Sequence, residues 1–538
     1  MRTMDTADYV IVGAGSAGCV LANRLSEDPS VRVLLLEAGG KDRSPNIAIP
    51  LAFANQFHTK LDWDYHTDPE PHCANRRLYL PRGKSLGGSS SMNAMLYVRG
   101  RPLDYDLWER EGATGWNWEG MRPYFLKAEH NERGASEHHA VGGPLNVANP
   151  KAPRALNAKF LAAWEAQGIP YVDDYNGPEQ DGCAMVQVTQ KDGRRWSAAA
   201  GYLRPAMDRP NLEVVTKAHV QGLELEGTRA TGVRYRRRGR ERLVRANADV
   251  ILAAGAFGSP HILQLSGIGP ADVLRAAGVA VRHELRGVGE NLQDHPFYTM
   301  NYEVTDTDTL YGADKPKAMV EWMLRRSGKL TSSAAESFAF VRSRPGLPAP
   351  DLQYHDGPLY YEKHGEEEFD GHCIVMGPTL ITPRSRGRVW LRSADPADAP
   401  HILTNTLADP EDVAAMVTGI KITREVAGRD TLASSIVREL TPGAQVQSDE
   451  DIEASLRDRV ELIYHPVGTC RMGSGDEAVV DPQLRVRGLE GVRVCDASIF
   501  PIIPGGNTNA PTIAVAERGA DVIMGRTTAE GSTAPATA

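Results

Sequence analysis

The sequence predicts an α/β protein in which a discontinuous domain built on a parallel sheet is completed by a second domain of antiparallel sheet and helices. Strand, glycine-rich turn and helix patterns recur at residues 9–37, 250–269 and 493–520. Since parallel strands need a long crossover connection, usually a helix, such units are typical of a doubly wound sheet. The 538 residues also exceed what one hydrophobic core usually holds. We therefore assign to the first domain residues 1–155, 195–296 and 460–538, and to the second domain residues 156–194 and 297–459.

The second domain is predicted from a change of pattern. Residues 303–452 mix alternating strand-like segments with helices, which indicates an antiparallel sheet. Residues 212–233 and 243–252 are predicted strands around a basic segment, Arg234–Arg242, which we expect to be a solvent-exposed hairpin tip. The two ends are polar or small in composition, and we expect disorder at residues 1–7 and 527–538.

Composition and charge exclude several classes of protein. Lys and Arg number 60 against 69 acidic residues, and the net charge of −9 disfavours a broad nucleic-acid surface. The six cysteines show no CxxC pair and no zinc-binding spacing, so we expect reduced thiols and no metal site. No stretch approaches the roughly 20 apolar residues of a membrane-spanning helix, and no signal peptide precedes the first strand. We expect a cytoplasmic protein and leave peripheral attachment to the inner membrane open.

The first unit carries a dinucleotide-binding fingerprint. An apolar strand leads into the turn Gly13-Ala14-Gly15-Ser16-Ala17-Gly18, then a helix and a second strand that Glu37 closes. We expect Gly13 to form the tight turn, Gly15 to admit a pyrophosphate and Gly18 to let helix and strand pack closely. The helix N-terminus would offer N–H groups to phosphates, and Glu37 would accept hydrogen bonds from ribose hydroxyls. This Rossmann-type unit predicts FAD or NAD, which share an ADP half.

Four further segments decide between these cofactors. They are Gly83–Met95, with a glycine pair before three serines, Gly255–Gly269, Tyr464–Gly473, and residues 492–512. The glycines and hydroxyls of the first segment would cradle the flavin end of a cofactor. On these segments, and along nearly its whole length, the chain resembles the glucose–methanol–choline family of flavoprotein oxidoreductases. The resemblance implies a discontinuous FAD-binding domain, a substrate-binding domain and FAD as the cofactor.

The resemblance also implies which residues contact FAD. Beyond the fingerprint residues Gly13, Gly15, Gly18 and Glu37, these expected contacts are Ser16, Ala38, Trp63, Gly87, Gly88, Asn93, Ala94, Met95, Val220, Ala254, Asp496, Ala497 and Thr508. Some members of the family attach the flavin through a histidine in the serine-rich loop, where this chain has Met92. Since a thioether cannot serve as that attachment, we predict non-covalent FAD.

His465 is the predicted catalytic base. Oxidation of an alcohol by a flavin removes a proton from the hydroxyl and transfers a hydride from carbon to flavin N5, and imidazole titrates near neutral pH. His465 precedes Pro466, which fixes the loop, and the motif around it holds the base in the family. The resemblance implies that the amide of Asn509, at the start of the last helix, stabilises the developing alkoxide. A helix N-cap is its structural alternative.

The substrate predicted by the resemblance is a primary alcohol, aliphatic or aryl, which is oxidised to the aldehyde. Choline is the alternative, since Trp63, Trp322, Tyr464 and Glu336 are candidates for an aromatic cage with a carboxylate. Tyr464 and Glu336 are therefore the candidate substrate contacts. A flavin-dependent lyase or decarboxylase on the same fold is a second alternative. The electron acceptor, a quinone or O2, and the oligomeric state are left open.

Overall fold

A computed structural model describes residues 4–527 and confirms the predicted α/β class. The largest sheet has seven strands, five of which run parallel. In spatial order the strands are Leu212–Thr216, Val33–Glu37, Thr6–Val12, Arg240–Leu252, Arg229–Arg237 and His219–Glu226, with Val492–Val494 also paired to Arg240–Leu252. Every residue of Val33–Glu37 is buried, as expected for a parallel strand that is covered on both faces.

A second sheet of six strands is antiparallel, as predicted. In spatial order its strands are Glu461–Leu462, Pro296–Phe297, Pro378–Leu380, Leu352–Asp356, Ser337–Val341 and Gly182–Met185. A three-stranded antiparallel sheet consists of Cys373–Met376, Met300–Val304 and Ile436–Thr441. The remaining pairs are Tyr65–His66 with Tyr79–Leu80, Glu129–Asn131 with Leu145–Val147, Gln190–Lys191 with Arg194–Arg195, Ile268–Gly269 with His283–Glu284, and Arg388–Trp390 with His401–Leu403.

Helices cover the sheets and connect their strands. The α-helices are Ser16–Leu25, Pro45–Ala48, Pro102–Arg110, Trp118–Ala128, Asn157–Ala166, Arg204–Ala206, Gly255–Leu265, Ala271–Ala276, Pro316–Arg325, Pro410–Ala427, Asp430–Ala433, Asp449–Arg459 and Asn509–Ile523. Shorter 3-10 turns are Pro50–Gln56, Gly88–Ser91, Lys329–Thr331, Lys363–Gly365 and Ala497–Ile499, and Ala199–Leu203 is a π-helical turn.

The predicted strand–turn–helix–strand unit is present, but its first strand starts earlier than expected. Thr6 and Ala7, predicted to be disordered, pair with Arg245 and Ala246 of the neighbouring strand. That prediction was wrong because the partner strand lies far away in sequence. The disorder predicted for residues 1–3 and 528–538 concerns positions outside the described residues.

The largest hydrophobic core joins the two ends of the chain. Val10, Ile251 and Ile513 are fully buried in it, and burial of each such side chain stabilises the fold by about 1.5–3 kcal/mol. The buried carboxylate of Glu517 in the last helix accepts hydrogen bonds of 2.8 and 2.7 Å from the Arg24 guanidinium in the first helix. This ion pair joins the two helices that begin at the candidate site. A second core surrounds Trp164 and Tyr354 beside the antiparallel sheet, and the predicted domain boundaries stay a prediction.

Other sequence expectations concern surface and thiols. The basic segment occupies the tip of the hairpin formed by Arg229–Arg237 and Arg240–Leu252, with most of its arginines exposed, as expected. All six cysteines are free and buried. Within residues 4–527 no helix is long and apolar enough to cross a membrane, and no cluster of His, Cys, Asp or Glu has the arrangement of a metal site.

Candidate active site

A cavity of about 600 Å³ lies between the two large sheets. One wall is formed by residues at the carboxyl ends of the parallel strands, among them Val12, Glu37 and Asp496. The facing wall contains Phe297 and His355 of the antiparallel sheet. The carboxyl ends of parallel strands are where open α/β sheets bind their ligands. The fold therefore brings the nucleotide-binding turn and the second domain to one site.

The fingerprint glycines occupy positions where a side chain would interfere. Gly13 has φ +100°, and an added Cβ would lie 2.6 Å from the Ala253 carbonyl oxygen. A Cβ on Gly18 would overlap the Gly13 carbonyl, so Gly18 allows close packing of helix on turn. At Gly15 the nearest protein atom, the Ala253 oxygen, would be 3.9 Å away, which leaves open space on the cavity side. These three environments match a turn that admits a pyrophosphate.

Three helices direct their N-termini at the cavity. They are Ser16–Leu25, Gly255–Leu265 and Asn509–Ile523, whose first residues or N-cap residues line it. None of the three has a side-chain hydrogen bond at its N-cap. The terminus of Gly255–Leu265 already donates to the Asp496 carboxylate through the Gly255 N–H. The first N–H groups of the other two helices lack partners within the helix and carry partial positive charge, so these two termini favour a ligand with negative charge.

Glu37 lies at the cavity and is held by backbone groups. Its Oε2 accepts a hydrogen bond of 2.9 Å from Ala14 N, and its Oε1 accepts one of 2.7 Å from Gly39 N. Burial raises the pKa of Glu37 to about 7, although the two amides and Lys84 favour the ionised form and lower the pKa. The Lys84 ammonium lies 4.2 Å from the ring centroid of Trp63, and both residues line the cavity. The ribose-binding role of Glu37 stays a prediction.

The serine-rich loop packs directly on the fingerprint turn. Gly88 has φ +51°, and a Cβ there would lie 2.7 Å from Gly15 Cα. The loop is anchored by the buried guanidinium of Arg195, whose Nη1 donates to Asn93 O at 2.6 Å and to Asn93 Oδ1 at 2.7 Å. Burial lowers the pKa of Arg195 to about 9. The sequence analysis missed this anchor because no local pattern links positions so far apart in the chain.

Most predicted FAD contacts line the cavity. Asp496 does so at the end of its strand, where its Oδ2 accepts hydrogen bonds from Gly255 N at 2.8 Å and Ser259 Oγ at 2.6 Å. Gly18 and Gly87 do not line it and act as supporting positions within their turns. The predicted contacts that line the cavity are Gly13, Gly15, Ser16, Glu37, Ala38, Trp63, Gly88, Asn93, Ala94, Met95, Val220, Ala254, Asp496, Ala497 and Thr508.

His465 lines the cavity and is held from three sides. The backbone N–H of His465 donates to Asp294 Oδ1 at 2.7 Å, the ring Nδ1 lies 3.0 Å from His295 Nδ1, and the ring Nε2 lies 3.3 Å from Asn507 Nδ2. Burial holds the pKa of the His465 imidazole well below its usual range, and the neighbouring His295, His355 and Arg82 act in the same direction. The ring is therefore neutral at physiological pH. The preceding residue, Tyr464, has φ +66°, an uncommon conformation for a non-glycine residue that directs the loop.

The hydrogen bonds define which nitrogen of His465 is basic. Gln353 Nε2 donates to Asn507 Oδ1 at 3.3 Å, so the Asn507 amide directs its N–H groups at His465 Nε2. Because an amide nitrogen only donates, Nε2 accepts and carries the lone pair. Nδ1 then carries the proton of the neutral ring and donates to His295 Nδ1. This tautomer is an inference from the hydrogen-bond network.

Asn507, rather than the predicted Asn509, lies beside His465. Asn509 also lines the cavity, but its Oδ1 accepts a hydrogen bond of 2.7 Å from Ser16 Oγ on the fingerprint turn. Asn509 is the first residue of the last helix, and Thr508 is its N-cap, so Asn509 does not cap that helix. The alkoxide-stabilising role of Asn509 stays a prediction, and Asn507 is a residue that the sequence analysis did not single out.

The two candidate substrate contacts lie in different places. Tyr464 lines the cavity, and its hydroxyl oxygen is 3.4 Å from the hydroxyl oxygen of Tyr361. Glu336 lies outside the lining: its Oε1 accepts from Ser332 Oγ at 2.6 Å and its Oε2 from Asn157 Nδ2 at 2.6 Å. With both oxygens engaged in a fully buried position, Glu336 is a structural carboxylate, and this position does not support substrate contact. Trp322 is likewise absent from the lining.

The sequence analysis did not single out His355 and Glu461, two of the ionisable residues in the cavity wall. His355 Nδ1 forms a hydrogen bond of 3.2 Å with Thr379 Oγ1. Its buried Nε2 has no hydrogen-bond partner among the described residues. Glu461 lines the cavity near Tyr464, and burial raises its pKa to about 8. Neither residue stands in a recognisable motif, since strand pairing brings them to the cavity.

Comparisons with known proteins agree with this site. Models of the N- and C-terminal parts of the GMC oxidoreductases match residues 7–297 and 383–516. The chain is 45% identical to an alcohol dehydrogenase [acceptor] of Pseudomonas putida, over 96% of this chain and 95% of that protein. It is 44% identical to the mitochondrial choline dehydrogenase of Homo sapiens, over 98% of this chain and 91% of that protein.

Solved structures give the same result. Pyridoxine 4-oxidase from Mesorbium loti superposes with a TM-score of 0.88 at 33% identity, covering 96% of this chain and 98% of that one. A formate oxidase structure superposes with a TM-score of 0.92 at 28% identity, covering 98% and 99%. The fold is thus shared with these oxidases over nearly the full chain, and the protein belongs to the GMC oxidoreductase family.

Proposed function

We propose that this protein oxidises a primary alcohol, aliphatic or aryl, to the aldehyde, with non-covalent FAD and with His465 as the base. Family membership makes the chain an FAD-dependent oxidoreductase that acts on CH–OH groups. The observation that carries the proposal is the neutral His465 imidazole, whose Nε2 faces Asn507 at the cavity. The lone pair on this nitrogen is the proton acceptor that alcohol oxidation requires.

The cavity suits FAD in shape and in charge. Gly15 leaves room where a side chain would stand, and the N-termini of helices Ser16–Leu25 and Asn509–Ile523 favour negative charge on the cofactor. Gly15 and Ser16 would hold the pyrophosphate, Glu37 the ribose, and Asp496 and Thr508 the flavin half. Met92 lines the cavity at the position where a histidine would be needed for covalent attachment. When bound, FAD supplies the hydride acceptor.

The residues of the chain handle the proton. His465 Nε2 accepts the hydroxyl proton of the substrate, and the backbone N–H of His465, which donates to Asp294 Oδ1, holds the residue in place for this step. Asn507 Nδ2 lies within reach of the substrate oxygen as that oxygen gains negative charge, and we retain Asn509 as a second amide for this role. The apolar walls exclude water from these steps.

The lining favours a neutral alcohol over choline. Apolar and aromatic surface is supplied by Phe53, Phe57, Phe297 and Tyr361. The acidic side chain of the lining near Tyr464 is Glu461. Burial raises the pKa of Glu461 to about 8, which favours its neutral form and weakens it as a counter-ion. Choline is the second candidate, because the aromatic wall suits a quaternary ammonium group and such a cation would ionise Glu461.

Anaerobic flavin reduction tests the proposal. The purified holoenzyme is mixed without oxygen with aliphatic and aryl primary alcohols and with choline, and the visible flavin absorbance is followed. Bleaching by the neutral alcohols supports the proposal, bleaching by choline alone supports the second candidate, and no bleaching would point to a lyase or decarboxylase. Fast or slow recovery in air then distinguishes O2 from a quinone as the acceptor.

Variants at the site test the role of His465. We expect His465→Gln to retain FAD and to lose about 100-fold or more in the rate of flavin reduction, as is typical for removal of a general base. Asn507→Leu and Asn509→Leu, compared in the same assay, tell which amide supports the alkoxide. A His465→Gln enzyme that is reduced at the wild-type rate would refute the assignment of the base.

A further inference from the structure

Four large apolar side chains of helix Pro316–Arg325, which we name the exposed helix, point into solvent. Leu324 is 80% exposed, Met323 61%, Val320 52% and Met319 39%. The other exposed large apolar side chains in residues 4–527 are Val141, Tyr171, Met207, Leu243, Val437 and Tyr311, of which Tyr311 contacts Lys315 at the start of the exposed helix. Single exposed apolar residues are ordinary, whereas a contiguous group marks an interaction surface.

The direction of this apolar surface follows from helix geometry. Ala318 and Trp322, four residues apart, form the buried row and pack against Ile49. Val320 and Leu324 lie two residues further along, about 200° around the axis, so they face directly away from the protein. A surface helix normally presents polar side chains at those positions. The buried row already anchors the exposed helix, so the outer apolar row contributes nothing to this fold.

Cations border the apolar row. Lys317 and Arg325 lie eight residues apart, about two helical turns, on the flank away from the methionines, and Glu321 lies midway between them. Further cations that are exposed or half-exposed around the exposed helix are Lys315, Arg326 and Arg194, the last two over the Trp322 ring at 4.0 and 6.0 Å. The whole chain carries −9, so an apolar row bordered by cations is a local feature and does not reflect the average surface.

We propose that the exposed helix docks the enzyme on a lipid bilayer that contains anionic lipids. Val320, Met323 and Leu324 would enter the headgroup layer, while Lys317 and Arg325 would contact lipid phosphates. An interfacial helix binds in this way, through an apolar face and flanking Lys or Arg. The charge favours a bilayer over a second copy of this acidic chain, because a second copy would offer no comparable negative layer to all flanking cations at once.

The position of the exposed helix relates the docking surface to the active site. Its buried residues Ala318 and Trp322 share a hydrophobic cluster with Ala52 of the turn Pro50–Gln56, and the next residue, Phe53, lines the cavity. This cluster therefore connects the docking surface to the cavity wall. Docking would bring a lipid-soluble substrate or electron acceptor close to the site, but the docking itself does not depend on which reaction the enzyme performs.

Vesicle sedimentation tests this proposal on the holoenzyme. We expect the enzyme to sediment with phosphatidylcholine–phosphatidylglycerol vesicles, to bind less to phosphatidylcholine alone, and to be released by salt. Val320→Ser, Met323→Ser and Leu324→Ser combined should lower the partition coefficient about tenfold or more. Lys317→Gln and Arg325→Gln should each lower it about fivefold, on the anionic vesicles only.

The matched control is Val437→Ser, which removes a side chain of similar exposure, 55%, on a strand of the three-stranded sheet. It should bind vesicles as the wild type does. Flavin absorbance confirms that each variant is folded and loaded. Absence of wild-type binding to anionic vesicles would overturn the proposal, and so would equal binding by the triple variant. A wild-type dimer in sedimentation velocity that the triple variant converts to a monomer would show instead that a second copy covers the exposed helix.

Discussion

Replacing Gly15 by alanine should separate folding from cofactor binding. Gly15 has φ −76°, which alanine adopts without strain, and its added Cβ would be 3.9 Å from the Ala253 oxygen, an ordinary contact. The methyl group would instead take up cavity space at the N-terminus of helix Ser16–Leu25. Gly18→Ala is the matched control, because its methyl group would overlap the Gly13 carbonyl inside the protein.

The expected magnitudes differ between the two variants. Alanine in place of an N-cap glycine costs at most about 1 kcal/mol, so the free energy of unfolding of Gly15→Ala apoprotein should change little. Loss of one charge-assisted hydrogen bond to the pyrophosphate, about 1.5–3 kcal/mol, should weaken FAD binding about 10- to 100-fold. In Gly18→Ala, overpacking should lower the free energy of unfolding by about 1–3 kcal/mol, while the higher helix propensity of alanine should raise it by about 1 kcal/mol. Because the added methyl group would overlap the backbone, we expect the overpacking cost to lie near about 3 kcal/mol and the net effect to be destabilising.

Two measurements on the apoproteins check this reasoning. Urea denaturation gives the free energy of unfolding, and titration with FAD, followed by quenching of flavin fluorescence, gives the Kd. Gly15→Ala should retain stability and lose affinity, whereas Gly18→Ala should lose stability. If Gly15→Ala bound FAD with the wild-type Kd, the space at Gly15 would not be the site of the pyrophosphate.

Three further predictions concern buried polar groups. Glu336→Gln should lower the free energy of unfolding by about 1–3 kcal/mol, because its NH2 would face donors, while the KM for alcohol stays within about twofold; a large KM change alone would restore the substrate role. The carboxylates next to His139 raise its pKa to about 9 from the usual value of about 6.5. The protonated ring therefore stabilises the fold fully below about pH 6.5, and this contribution is lost as the pH rises through about 9. His139→Gln should therefore cost at most about 3 kcal/mol in urea denaturation at about pH 6 and nearly nothing at about pH 10, and a pH-independent cost would contradict this. Trp164→Phe removes the 2.8 Å hydrogen bond from Nε1 to the buried Asp356 carboxylate and should cost about 1–3 kcal/mol by thermal or urea unfolding, whereas an unchanged stability would mean that the carboxylate is satisfied otherwise.

The glycine positions of the fingerprint were predictable because their constraint is local. Gly13 needs a positive φ and Gly18 a close backbone contact, and both follow from one turn between a strand and a helix. The parallel and antiparallel sheets were also predictable, since alternating and continuous apolar patterns reflect burial on one or two faces. The start of the first strand at Thr6 was not, because its partner strand lies far along the chain.

Within the active site, local pattern and tertiary structure contributed different parts. The motif around His465 was enough to predict a base, because a histidine fixed by a following proline lies in a recognisable segment. Which amide faces it depends on the backbone around the start of the last helix, where Asn507 contacts His465 and Asn509 contacts Ser16. The spacing of the sequence does not encode these partners.

By itself, the sequence determined the fold class, the nucleotide-binding turn and FAD as the cofactor, and it predicted the position of the base, since each depends on residues close together in the chain. Tertiary structure alone decided that Glu336 is a buried structural carboxylate, that His355 reaches the cavity, and that the exposed helix presents Leu324 to solvent. The physical reason is the same for all three: whether a side chain meets ligand, protein or solvent depends on what packs against it, and those partners come from distant parts of the chain.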